Sequence, residues 1–248
     1  MPYLRDHCFF VQPDDWPRLE DRWPVVPATT VVQHMMDAAE RAAPGLKAVA
    51  VRDAKFNRWL IAEPAQRVEI TVKPAGPGLV TVIFGGYARS TVELAAAFPP
   101  PPEQPWTHDP ATEFPPTTSA AEMYEKRYMF HGPLFQGVTA VHALGDQHIR
   151  GIVTAPPPPG ALLDNALQLL GNWLLTTQPF RTVALPVGLR HVKFYGPQPP
   201  AGTAFDCVAR VRSITDGELI ADAQLSVNGR VWARIGRASC RERVLTDV

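Results

Sequence analysis

From Pro159-Gly160 onward the chain carries a pattern that suits only a buried helix. Leu162, Leu163, Ala166, Leu169, Leu170, Trp173 and Leu174 recur at helical spacing over several turns, too regularly and for too long to be a strand. Asp164 and Gln168 stand at i and i+4 and so share one face of that helix. Burying a carboxylate among leucines costs several kcal/mol unless it is paired or protonated. A group from elsewhere in the chain is therefore expected to face Asp164.

The remaining elements fall into two similar runs. Thr29 or Thr30 is a plausible N-cap for a helix over 31–43, which Gly45 ends. Strand-type segments follow at 48–51, 55–61, 68–73, 79–84 and 87–93, separated by Pro64, the Pro74-Ala75-Gly76-Pro77-Gly78 run and Gly85-Gly86. An antiparallel meander is the simplest arrangement of these. Many of the 27 prolines lie between 98 and 122, which reads as an extended linker. Strands are expected next at 138–144 and 148–155, and a second proline run then delivers the chain to the apolar helix. Beyond it, segments at 189–195, 204–213, 219–227 and 230–235 are divided by turns that include Asp216-Gly217 and Asn228-Gly229. Helix followed by meander thus occurs twice. Val51-Arg52-Asp53-Ala54-Lys55-Phe56 is echoed by Leu189-Arg190-His191-Val192-Lys193-Phe194, each opening the first long strand after its helix. The expectation is a duplicated α+β fold with two antiparallel sheets, each wrapped around a central helix. Its divisions are 1–97, the linker 98–122, 123–237, and a tail over 238–248, either foreign to the fold or a frayed end, which leaves Cys240 out of the chemistry.

Composition excludes several classes. Lys plus Arg and Asp plus Glu both number 24, so no basic field is present for nucleic acid. No apolar run spans a bilayer and no signal peptide opens the chain. Cys8, Cys207 and Cys240 are too widely spaced for a zinc or redox motif, which suits a reducing cytosol. No histidine pair has metal-ligand spacing, and neither a Gly-rich phosphate loop nor a Gly-x-Ser-x-Gly elbow appears. His34, His108, His142, His148 and His191 read as packed, linker or sheet-face residues. His131 sits in a turn stiffened by Gly132, Pro133 and Gly137, where a ligand-facing loop is plausible. His7, from local sequence alone, reads as a terminal residue near a strand.

Three motifs in order then resemble a known family. Leu4-x-Asp6-His7, with Pro27-Ala28-Thr29 before a helix, is similar to the Leu-x-Asp-His and Pro-Gly-Thr segments of polyketide synthase dehydratase domains. His131-Gly132-Pro133-Leu134-Phe135-Gln136-Gly137 is similar to their Tyr-Gly-Pro-x-Phe-Gln-Gly, and Leu162-Leu163-Asp164-x-x-Leu167-Gln168 to their Leu-Leu-Asp-x-x-Leu-Gln. Ala28 stands where Gly is usual, His131 where Tyr is usual and Pro159-Gly160 where His-Pro is usual, and an insertion near 12–22 lengthens the segment after His7. The resemblance implies a double hot-dog fold from a type I polyketide synthase and a catalytic dyad of His7 and Asp164. It implies dehydration of a β-hydroxyacyl thioester, His7 serving as base and Asp164 as an acid kept protonated by its apolar site. Gln168, Pro27, Ala28, Thr29, His131, Gly132, Pro133 and Gly137 would bind substrate, with backbone N–H groups near 28–30 meeting the thioester oxygen. No cofactor is implied beyond the phosphopantetheine arm of an acyl carrier protein. That carrier, other synthase domains and a second copy are the expected partners. An isomerase, a product-template domain and an inactive carrier-binding module share the motifs. Convergence of His7 and Asp164 in an acyl-sized tunnel separates an enzyme from a scaffold.

Overall fold

The computed structural model describes residues 1–248 except 11, 13, 14, 16, 179–182, 216 and 244–248. A helix α1 (Ala28–Ala42) leads into strands β1 (Lys47–Phe56), β2 (Ile70–Gly76), β3 (Leu79–Phe84) and β4 (Ala88–Ala95). After the proline-rich stretch come a short helix α2 (Ala120–Glu125), β5 (Val138–Gly145) and β6 (His148–Thr154). Helix α3 (Ala161–Thr177) follows, and β7 (Val183–Phe194), β8 (Ala204–Thr215), β9 (Glu218–Val227) and β10 (Arg230–Arg243) complete the chain.

The two long helices are buried in different ways. α1 is amphipathic, placing Val31, Val32, Met35 and Ala39 inward and leaving Arg41 exposed. α3 is apolar over most of its circumference, with Leu162, Leu163, Ala166, Leu169, Leu170 and Trp173 all inside. β1 to β4 wrap α1, and β5 to β9 contact α3, giving the helix-in-sheet halves that the periodicity implies.

The two sheets are joined. All ten strands form one sheet in the order β2-β3-β4-β1-β7-β10-β9-β8-β6-β5, and β1 pairs antiparallel with β7 at the seam. The two echoing segments are the strands that meet there: Val51 lies opposite Val192, Arg52 opposite His191 and Ala54 opposite Leu189. The repeated piece is therefore its own partner across the junction.

Several local expectations shift. The break read between 51 and 55 is a bulge inside β1, where Asp53 takes φ 50° and the pairing with β4 slips a register. The Asn228-Gly229 turn holds, both residues at positive φ, as a two-residue hairpin requires. The tail reading needs correction, because 238–243 continue β10 and pair with β7 and β9. Ala238 and Cys240 are buried while Arg237 and Arg241 are exposed, a period-two pattern carried by small residues rather than Val or Ile. Asp216 and residues 244–248 of the expected turn and tail lie outside the described residues. The proline-rich stretch is pinned to the second half, where Glu113 is held bidentately by Arg150 and Phe114 bridges to Leu144.

Candidate active site

Three elements bring the site together. His7 follows a short 3-10 helix (Pro2–Asp6) and is 5% exposed. Its Nδ1 lies 2.7 Å from the Val25 carbonyl, which can only accept, so Nδ1 carries the hydrogen and Nε2 the lone pair. Asp164 sits in the first turn of α3, 8% exposed. Gly160 makes its approach possible: at φ 76° it caps α3, and a Cβ there would stand 2.4 Å from the Thr29 carbonyl. The starts of α1 and α3 consequently touch, and the Thr30 hydroxyl donates to the Pro159 carbonyl at 2.7 Å.

His131 is the third member. Its Nε2 lies 3.2 Å from Asp164 Oδ2, and its ring packs on Phe130 and meets His7 with ring centres 5.0 Å apart. The contact with Asp164 is close enough for charge attraction but is not aligned as a hydrogen bond, since neither ring nitrogen of His131 has an aligned partner. One donor atom each from His7, His131 and Asp164 lies within 4.8 Å of the others.

Burial pushes the His7 imidazole down to about 4, helped by His131 and opposed by Asp164 and the Val25 carbonyl, so the ring is neutral at ordinary pH. Asp164 departs from the sequence expectation. Burial alone would raise its carboxyl, but His131, His7 and the Gln168 amide outweigh that and hold it below the usual range. That lowering runs against the expectation of an acid kept protonated by its apolar site, and it comes first from His131, whose approach to Asp164 no local motif announces.

A buried polar chain backs Asp164. Gln168 Nε2 donates to Asp164 Oδ2 at 2.8 Å and to the Phe135 carbonyl at 3.0 Å. Gln168 Oε1 accepts from the Tyr124 hydroxyl at 2.9 Å, and that hydroxyl accepts from the Val138 N–H. Burial pushes the Tyr124 ionisation up, so it stays a neutral donor. Asn165 accepts from the Gly137 N–H at 2.7 Å and donates to the Ala161 carbonyl. Asp6 ties the two loops together, its carbonyl receiving the Gly132 N–H and its carboxylate the Leu134 N–H, both at 2.7 Å.

Of the residues singled out from sequence, His7, Asp164, Gln168, His131, Pro27 and Ala28 line one cavity. Its walls include Phe9, Val31, Met129, Leu167 and Leu174, and the space open to the centres of water-sized molecules inside it is about 90 Å³. Thr29, Gly132, Pro133 and Gly137 are not among the residues that line it, and Pro133 is exposed to solvent. Gly132 and Gly137 allow close packing: a Cβ would lie 2.9 Å from Asp6 at the first and 2.7 Å from the Thr154 carbonyl at the second. Tyr124, Asn165 and Asp6 were missed as site residues. A Ser119-Ala-Ala-Glu122 capping box announces the helix that carries Tyr124, and both of its hydrogen bonds form.

Comparison with known proteins follows this geometry. No curated protein matches the sequence. Among solved structures, the dehydratase domain from the CurJ module of curacin polyketide synthase superposes with a TM-score of 0.72 at 18% identity, covering 98% of this chain and 87% of that one. A trans-AT polyketide synthase dehydratase domain from Brevibacillus brevis gives 0.71 at 16% identity over 89% of this chain and 86% of that one. The dehydratase domain of PpsC from Mycobacterium tuberculosis, in complex with C12:1-CoA, gives 0.67 at 18% over 90% and 86%. These likenesses establish the double hot-dog fold. The family model described as polyketide synthase dehydratase N-terminal domain matches residues 99–243, more than half of the sequence, and the chain belongs to the polyketide synthase dehydratase family.

Proposed function

We propose that this chain removes water from a β-hydroxyacyl thioester carried on an acyl carrier protein, leaving the α,β-enoyl thioester. The observation that carries this reading is the convergence of His7 and Asp164, from opposite halves of the chain, on one largely apolar cavity that opens to solvent. His7 Nε2 takes the proton α to the carbonyl, a task that needs the neutral ring which burial enforces. The electron pair forms the double bond as the β-C–O bond breaks, and the departing hydroxyl takes a proton from the Asp164 side. Asp164 enters the reaction carrying that proton, and its burial, which raises the carboxyl, favours the protonated form against the opposing pull of His131, His7 and Gln168. Gln168 fixes the carboxylate's direction, since the Phe135 carbonyl can only accept and so keeps the amide NH2 turned toward Asp164. N–H groups of the first turn of α1, beside Ala28, would meet the thioester oxygen as its charge grows.

The cavity suits an acyl chain, being largely apolar with a few convergent polar groups. Arg58, over the Tyr87 ring, and Trp59 stand among its lining residues and are exposed to solvent, where a pantetheine arm would arrive. A carrier protein, neighbouring synthase domains and a second copy of the chain are the partners this reading calls for. Among the described residues no helix is long and apolar enough to cross a membrane. The test is His7→Ala and Asp164→Asn assayed by mass spectrometry on a panel of β-hydroxyacyl carrier thioesters. Each is expected to lose at least about a hundredfold in rate, the lower range for a positioned acid or base. Retention of near-parent rates by either variant refutes the assignment. One structural match is described as an isomerase-inactive variant of GphF DH1, so the position of the double bond in the product decides between dehydration alone and dehydration with isomerisation.

A further inference from the structure

We propose that His7, His131 and Asp164 form a binding site for a late first-row divalent metal ion, Zn2+ foremost, and that occupation of this site switches the enzyme off. The binding half rests on the geometry alone; the inhibition half rests on the dehydratase reading above.

The donor set is two imidazoles and one carboxylate, which in zinc sites leaves a fourth position for water or substrate. Here that position faces the cavity. Donor atoms at about 2.0–2.2 Å from a tetrahedral ion lie about 3.3–3.5 Å from one another. His131 Nε2 and Asp164 Oδ2 already stand 3.2 Å apart, and all three donors lie within 4.8 Å, so the longest edge closes by side-chain rotation. The surrounding contacts orient the ligands as metal sites require. The Val25 carbonyl holds the Nδ1 hydrogen of His7 and leaves Nε2 as the free lone pair, and Gln168 steadies the carboxylate. His131 is 6% exposed and neither of its nitrogens has an aligned hydrogen-bond partner, an imidazole buried against this cluster with unused donor capacity. Imidazole-rich sites select Zn2+, Co2+, Ni2+ and Cu2+ over Mg2+ and Ca2+.

A second histidine cluster offers a contrast. His108 stacks on His148 beside Glu113, but Arg150 grips that carboxylate and Arg210 reaches His108, so cations are repelled there. The ion therefore goes to the cavity. Once bound it occupies the His7 lone pair that removes the α-proton, and elimination stops until the ion is withdrawn.

The experiment uses the full, tag-free chain stripped with EDTA. Zn2+ is titrated calorimetrically, and Co2+ is added for its visible spectrum. One ion per chain is expected, with the strong bands of a four-coordinate nitrogen and oxygen site. His7→Ala, His131→Phe and Asp164→Asn should each weaken binding at least tenfold, His148→Phe should leave it unchanged, and Mg2+ should not bind. A six-coordinate Co2+ spectrum, no Zn2+ binding at about 100 μM, or binding undiminished in all three variants overturns the proposal, and the spectrum does so without reliance on any variant's folding. Dehydration by the parent should fall with Zn2+ and return with EDTA. Stoichiometric binding at these ligands with full activity sinks the inhibition half and the role of His7 as base, while leaving the metal site in place.

Discussion

Tyr124→Phe isolates the polar chain behind Asp164 from the groups that touch substrate. The phenolic oxygen accepts from the Val138 N–H at 3.1 Å, donates to Gln168 Oε1 at 2.9 Å and lies 3.3 Å from Asn165 Oδ1, and Phe keeps the ring while removing all three contacts. Two buried neutral polar groups are then left without their partner, each costing about 1–2 kcal/mol, so unfolding free energy should drop by about 2–4 kcal/mol. An ordinary domain retains a folded majority after such a loss. The Gln168 amide also loses one of its two anchors. If one hydrogen bond of about 1.4 kcal/mol had been holding the productive orientation, kcat falls about tenfold. KM should stay the same, because Tyr124 does not line the cavity. Urea denaturation gives the first quantity and single-turnover dehydration on a carrier-bound substrate the second. A variant within about 0.5 kcal/mol of the parent and equally fast would show that the chain from Tyr124 to Asp164 has no role in ordering the acid.

Other perturbations probe separate parts of the design. Gly160→Ala sets a Cβ against the Thr29 backbone at a positive φ, so stability should fall by about 2–4 kcal/mol, read from urea midpoints; an unchanged midpoint would mean the two helix starts are free to separate. Asp6→Ala releases the Leu134 N–H and loosens the turn before His7; kcat should fall about tenfold with stability lowered by about 1 kcal/mol, checked by steady-state kinetics beside thermal melts. His108 is held down to about 4, by burial first and then by His148 and Arg210. Since the unfolded chain takes up that proton near 6.5, the folded protein should lose stability as pH falls from about 6.5 through 4, and His108→Phe should flatten that slope in denaturation at a series of pH values.

What the sequence made legible follows from what is local. The periodicity of α3 and the turn at Asn228-Gly229 are properties of neighbouring residues, and they appear where the pattern puts them. Pairing His7 with Asp164 needed the ordered motifs, because nothing near His7 signals that α3 lies across the cavity. The charge state of Asp164 was out of reach, since it is set by His131 arriving from a different loop. α2 was hidden by surrounding prolines despite its capping box, and the end of β10 by the small size of Ala238 and Cys240. The joining of the sheets was invisible for another reason. The echo of 51–56 in 189–194 reads as evidence of duplication, whereas its physical use is that the two copies hydrogen-bond to each other.

That pairing has a bearing on traffic through the protein. With β1 and β7 laced together without a slip from Ala50 to Lys55, the halves cannot part like jaws to admit a bulky guest unless the backbone ladder between them is torn. On the dehydratase reading proposed above, acyl groups would instead thread in lengthwise through the cavity's own mouth. Where the exposed lining residues Arg58 and Trp59 border that mouth, its width, more than any opening of the body, would set which chains gain entry and how quickly product escapes.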